Sequence, residues 1–218
     1  MPDQTVADSE SLTTDRSADR LKAPRSATMD LESWLRDRVP TLKEQWVHEI
    51  QARELGNGGD ADRVVAMFAD QLVDLLPSML GAHREQIQRL WDRGAELFGA
   101  VAAKRGLAAG EAIEEIHILR ELVIRDLYRD PPPEGSVPLS LREILRLNRA
   151  LDRAVTHASV GHTDALFFEF FEGEAGASLL SGDDVAEEAA GQLATIRDEV
   201  RLVLEHAQGR ARSNGRRN

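Results

Sequence analysis

From Met29 onward, apolar residues recur at the three-to-four spacing of amphipathic helices, and no stretch alternates with a period of two. A chain patterned this way has no strands to pair, so its core must come from helix packed on helix. The pattern is clearest from Trp91 to Tyr128. Two helical stripes flank Arg105-Gly106-Leu107, where glycine can take the left-handed conformation that ends a helix.

The periodicity on either side of that joint predicts about six helices. The first spans about Asp30 to Leu55, with Trp34, Leu35, Leu42, Trp46 and Ile50 inward and Pro40 expected to break it or start a new helix. GNGGD (56–60) is a stop and a loop, with Asp60 able to cap the next helix. The second runs from about Ala61 to Leu76 or Leu80, with Val64, Val65, Phe68, Leu72 and Leu75 inward, closed by Pro77 and Gly81. The third spans Arg84 to Lys104, with Ile87, Leu90, Trp91, Phe98 and Val101 on one side. The fourth spans Gly110 to Tyr128, with Ile113, Ile116, His117, Leu119, Val123 and Leu127 as its inner stripe. Arg129-Asp130-Pro-Pro-Pro-Glu-Gly reads as a rigid external loop.

Ser140 and Glu143 have capping-box spacing and open a fifth helix that runs to Phe171. Such a length calls for more than one packing neighbour, often another subunit. After Gly173 and Gly176, Ser181-Gly-Asp-Asp starts a sixth helix, about Asp183 to Ala207, with Val185, Leu193, Ile196, Val200, Val203 and Leu204 as its apolar side. Residues 1–28 read as a disordered tail, 29–172 as the domain, 173–208 as an additional helical segment and 209–218 as a basic disordered tail.

Charge and composition exclude several function classes. Residues 29–208 carry 33 acids against 19 bases, so a phosphate backbone would be repelled and nucleic acid is a poor partner. There is no cysteine, hence no disulfide framework and no thiolate metal site. No apolar run reaches the roughly 18 residues of a membrane span, and the polar, acidic start has no signal-peptide core. A cytoplasmic protein away from membranes is expected.

The histidines are the main source of candidate chemistry. Glu114 and His117 stand at i, i+3, the spacing of a di-iron carboxylate bundle, but the second Glu-x-x-His that such a site needs is missing. No metal site is expected. His117, placed on the inner stripe, reads first as a buried neutral histidine with a hydrogen-bonded partner; ligation of haem iron is the alternative. His157-Ala-Ser-Val-Gly-His162 looks like a degraded phosphotransfer helix, with Val160 where a lysine would assist the phosphoryl group. No phosphate loop and no nucleophile–base triad pattern is present, so no catalytic residue is assigned. Phe167-Phe168-Glu169-Phe170-Phe171 cannot all face one side of a helix. It reads as a core plug with an exposed ring or as an interface anchor.

The wording GAVAAKRGLAAGEAIEEIHILRELVIRDLY, Gly99 to Tyr128, resembles the RsbT co-antagonist RsbRD N-terminal domain family. Arg105 and Gly106 at the joint, Glu111 and Glu115 at the acidic start of the next helix, and the Leu119-Arg120 step carry the likeness, which extends from Trp34 to Phe171. The resemblance implies a non-haem, globin-like fold, commonly dimeric, serving as a sensory module before a signalling output. That output is an anti-sigma-antagonist domain in stressosome proteins and a histidine kinase elsewhere. Only one helix and a tail come after residue 171 here, which suggests a stand-alone subunit acting through a partner, or a pure interaction scaffold.

The expectation is therefore an all-α, globin-like domain of about six helices that dimerises through its later helices. It would act in bacterial signal transduction, in a stress response or beside a histidine kinase or anti-sigma partner, without catalysis and without a required cofactor. Arg105, Glu115, His117 and Arg120 are the ligand or switch candidates, with Arg105 and Glu115 stabilising the joint. Asn148 (beside Leu147), Leu151, Val155, Phe167, Phe168 and Phe171 are the dimer-surface candidates.

Overall fold

The computed structural model describes residues 31–53, 60–130, 140–172 and 182–214. All regular structure among them is helical, in six elements. They are α1 (Leu31–Arg53), α2 (60–80), α3 (Arg84–Lys104), α4 (Ala109–Arg129), α5 (Leu141–Glu172) and α6 (Gly182–Asn214). None is long and apolar enough to cross a membrane. The expected tail at 1–28 and most of the Pro-rich loop lie outside the described residues.

α3 is the central element. It packs along α5, with α2, α4 and α6 also against it, while α1 closes the far side on α2 and α4. Its buried residues include all five assigned from periodicity, together with Asp92, Gly94, Ala95, Gly99, Ala102 and Ala103. Between α1, α2 and α3, Trp46, Phe68 and Phe98 form a ring cluster with centroids 6.0 and 5.3 Å apart. Each of two buried tryptophans donates its indole N–H to a carbonyl of a neighbouring helix, Trp46 to Glu115 at 2.6 Å and Trp91 to Ala150 at 3.2 Å. A buried indole N–H left unpaired would cost the desolvation of that group, so these bonds set the register of α1 on α4 and of α3 on α5.

Both prolines behave otherwise than expected. Pro40 does not break α1, which runs through it. Pro40 and Arg36 are both exposed, so the carbonyl that loses its partner lies on the wet side of the helix, where water can serve it. Pro77 does not end α2 but is buried within it. The accommodation is a π turn over Ala69–Val73 in the middle of α2. It ends at Val73, whose carbonyl the Pro77 ring would meet in a regular helix.

The widened turn is held from outside. Lys43 of α1 pairs with Asp70 at 3.0 Å and Asp74 at 2.7 Å, and Arg197 of α6 donates to the Met67 carbonyl at 3.3 Å. Burial pulls the Lys43 ammonium down, but its hydrogen bonds to the two carboxylates outweigh that and hold it above its ordinary value.

The capping box at α5 forms as its spacing predicts. Ser140 and Glu143 exchange side chain-to-backbone bonds at 3.1 and 3.3 Å. α6 continues to Asn214, so no break separates residues 209–214 from the helix before them.

Candidate functional site

The α3–α4 joint is where the most elements meet. α3 ends in a Schellman motif. Gly106 has φ +79° and donates to Ala103 at 2.8 Å, and Leu107 donates to Ala102 at 3.0 Å. Nothing lies within 4 Å of a Cβ built on Gly106, so the backbone angle, not space, demands glycine there. α4 then starts with the Glu111 carboxylate accepting the Ala108 N–H at 2.7 Å, one half of a capping box.

Four side chains lock this corner: Arg105, Glu115, Trp46 and His162. Arg105 reaches across to Glu115 at 3.3 and 3.5 Å, and both side chains are about nine-tenths buried. The Glu115 carbonyl is the acceptor for Trp46, which brings in α1. His162 of α5 is 3% exposed and donates from Nε2 to the Leu107 carbonyl at 2.8 Å, which fixes its neutral-ring tautomer if uncharged. Four helices thus converge on the four-residue turn 105–108 and the first turns of α4.

The other two switch candidates do not join this corner. His117 is not on the inner face of α4. It is exposed, with Nδ1 3.9 Å from Glu114, and the buried residues of α4 are instead Ala112, Glu115, Ile116, Ile118, Leu119, Leu122 and Val123. Arg120 pairs with Asp152 on α5, away from the joint. The residues do not fit an internal haem: His117 points to solvent, and the interior between α1, α2 and α3 is filled by Trp46, Phe68 and Phe98.

A second polar cluster, on the α3–α5 seam, was not foreseen. Arg153 binds Asp92 bidentately at 2.5 and 2.6 Å, and this hydrogen bonding outweighs burial to hold the guanidinium above its ordinary value. His157 sets Nδ1 2.7 Å from Glu96 and Nε2 3.4 Å from Asp92. Both ring nitrogens are engaged inside the α3–α5 helix pair, Nδ1 by Glu96 and Nε2 beside the Asp92–Arg153 ion pair, so neither is presented to an incoming phosphoryl group. The phosphotransfer likeness therefore has no counterpart in the geometry. Among the described residues no group of three or more His, Asp or Glu is disposed to hold a metal ion.

Beside this cluster the two backbones nearly touch. A Cβ on Gly99 would lie 1.8 Å from the Ala158 carbonyl oxygen, and one on Gly161 would lie 1.9 Å from that of Glu96. Ala150, Ala154 and Ala158 face the same seam from α5, and Ala95, Ala102 and Ala103 are buried on α3. Its only trace in the sequence is faint: small residues four apart on both helices.

Of the dimer-surface candidates, Leu151 is fully buried in the chain's own core and is withdrawn. Val155 is half-buried against that core, and Asn148 donates to the Ile144 carbonyl within its own helix. Phe167 and Phe168 are more than half exposed, and the side chain of Phe171 lies outside the described residues. Comparison with known proteins finds no family model, no curated protein and no solved structure that matches this chain.

Proposed function

We propose that this chain is a non-catalytic regulatory module that works by binding other proteins, of the kind used in bacterial signal transduction. The observation that carries the reading is how its interior polar groups are used. Arg105 with Glu115, Arg153 with Asp92, His157 with Glu96 and His162 with the Leu107 carbonyl each tie one helix or joint to another. A catalytic centre instead leaves a nucleophile, base or oxyanion donor facing a substrate. A set of helix-to-helix ties transmits displacement: moving α5 pulls on the joint through His162, and moving α1 pulls on it through Trp46.

The likeness of Gly99–Tyr128 to the RsbRD N-terminal domains supports the same reading, since Arg105, Gly106, Glu111 and Glu115 are the residues that build the joint. The expected setting is cytoplasmic, beside a kinase or an anti-sigma regulator.

The test is to use the full chain as bait in a lysate of its source organism, followed by mass spectrometry and reconstitution from purified components. A stoichiometric complex with a signalling protein, whose output changes when Arg105→Ala is introduced, is the expected result. A purified chain that turns over a metabolite and retains no protein partner would overturn the reading.

A further inference from the structure

α4 and α5 lie side by side and run in opposite directions. His162 of α5 meets the Leu107 carbonyl just before α4 begins, and further along α4 Arg120 meets Asp152, nearer the start of α5. Both helices rise by about 1.5 Å per residue, so the register set by Arg120 and Asp152 carries on to their other end. It brings Ile124 beside Asn148 and Tyr128 beside Ile144 and Leu145, with Leu141 one turn beyond.

The outer edge of this pair is apolar. Tyr128 is 90% exposed and Leu141 70%, and Ile124 and Leu145 are exposed at 43% and 45%. Ile124 and Tyr128 stand at i, i+4 on α4, as Leu141 and Leu145 do on α5, so each helix contributes one short stripe. Two packed helices leave a groove between them, and an apolar stripe on each bank suits a third helix laid along it. Large apolar side chains exposed side by side in this way mark a surface that associates.

The charges around the groove identify what fits it. Its carboxylates are already engaged: Glu121 by Arg125 at 2.7 Å, Asp152 by Arg120, and Glu143 by the N-terminus of α5 at 3.1 Å. Arg142 and Arg149 are not. They stand at i−3 and i+4 from Leu145, so they border it on the helix surface. Both are exposed, and neither has an ion-pair or hydrogen-bond partner among the described residues. A free guanidinium is best met by a carboxylate, which it can bind through two parallel hydrogen bonds. A second copy related by a two-fold axis would bring the same two arginines and carboxylates that are already paired, so it would leave both cations unanswered. A helix with leucine-like residues on one face and acids beside them answers both features.

We infer that the groove between α4 and α5, walled by Ile124, Tyr128, Leu141 and Leu145, docks an acidic amphipathic helix of a partner protein. This rests on the reading of the chain as a module that works by association, and it names the surface and the chemistry of what binds there.

The test titrates the full chain with designed helices of about four heptads. One has leucine along one face and glutamate on its flanks; a second has lysine on the flanks; a third keeps the glutamates but has alanine in place of leucine. The leucine–glutamate helix is expected to bind, more weakly at high salt. Tyr128→Ser/Leu145→Ser should weaken it about tenfold or more, and so should Arg142→Glu/Arg149→Glu. Leu202→Ser, which removes an exposed leucine on α6, should leave binding unchanged, and circular dichroism should show all variants folded. Equal binding of the lysine or the alanine helix overturns the proposal, as does insensitivity to either pair of substitutions. A full chain that sediments as a dimer at micromolar concentration and becomes monomeric with Tyr128→Ser/Leu145→Ser would give the groove to a second copy and overturn it too. If these helices fail while the full chain still retains a signalling protein from lysate, the docking surface is wrong and the regulatory reading stands.

Discussion

Between Leu147 and His162, α5 meets α3 with alanine and glycine. Between Thr163 and Phe170 the same helix carries leucine and phenylalanine, and the described ones, Leu166, Phe167, Phe168 and Phe170, are about half exposed or more. The buried half holds little apolar area per residue, yet it approaches its neighbour closely enough that a methyl group would strike a carbonyl. The projecting half has ample apolar area and leaves most of it in water. Side-chain size alone therefore ranks the two halves in the wrong order. What makes the first half structural is backbone proximity plus fixed ion pairs; the second half has larger side chains without that close approach.

The contrast breaks most readily at its glycines. Gly99→Ala and Gly161→Ala each place a Cβ under 2 Å from a backbone oxygen, which no rotamer change relieves. The seam must open, and each substitution should cost about 3 kcal/mol in urea denaturation. Gly191→Ala, on α6 with nothing within 4 Å of its Cβ, should instead stabilise by about 0.5–1 kcal/mol. Equal effects at all three sites would show that helix propensity, not close approach, governs the seam.

At the joint, Arg105→Ala leaves Glu115 buried without its cation and should destabilise by about 3 kcal/mol. The double variant Arg105→Met/Glu115→Leu removes both charges and keeps the volume, so it should recover most of that loss. If the double variant is as unstable as the single one, the pair is worth more than its desolvation and the joint is held by charge. Asp92→Ala, on the seam, should cost less, about 2 kcal/mol, because Arg153 retains more contact with water.

These sites also mark the limits of what periodicity reveals. The inner faces of α1, α2 and α3 were legible because large apolar residues define them, and every residue assigned inward there is buried. On α4 the apolar stripe misled. Ala112 and Glu115 belong to the inner face, but one is small and the other charged, so the centre of the stripe appeared to lie nearer His117 than it does. Glu115 turns inward where Arg105 meets it, and that pairing crosses the joint instead of keeping to a helical spacing. The seam was missed for a related reason. Gly99, Ala158 and Gly161 add almost nothing to a hydrophobic pattern, so this close backbone approach leaves only a faint trace in the sequence. The length of α5 raises the expectation of a partner surface, but Leu151 lies on the half already taken by α3.

Lys43 tests whether the rule extends to the surface. Its carboxylate partners Asp70 and Asp74 are each about half exposed, so solvent screens the pair, and Lys43→Met should cost less than about 1 kcal/mol near neutral pH. Because the folded ammonium is held above its ordinary value, its contribution is fully present below about pH 10.4 and is lost as pH rises through the folded value. The gap in melting temperature between wild type and Lys43→Met should therefore close in strongly alkaline buffer. A gap that persists unchanged there would mean the lysine acts through packing of its stem.

The smallest expected effect falls on the projecting half. Leu166→Ser removes an exposed side chain that buries little within the chain, so unfolding should shift by less than about 0.5 kcal/mol. Set beside Gly161→Ala, only five residues earlier on the same helix, this predicts a several-fold contrast in stability from substitutions of similar size. A loss at Leu166 approaching that at Gly161 would mean that the end of α5 is enclosed in the free protein and that its apolar surface belongs to the fold. A negligible loss shows that close backbone approach, not side-chain size, is what separates the two halves of α5.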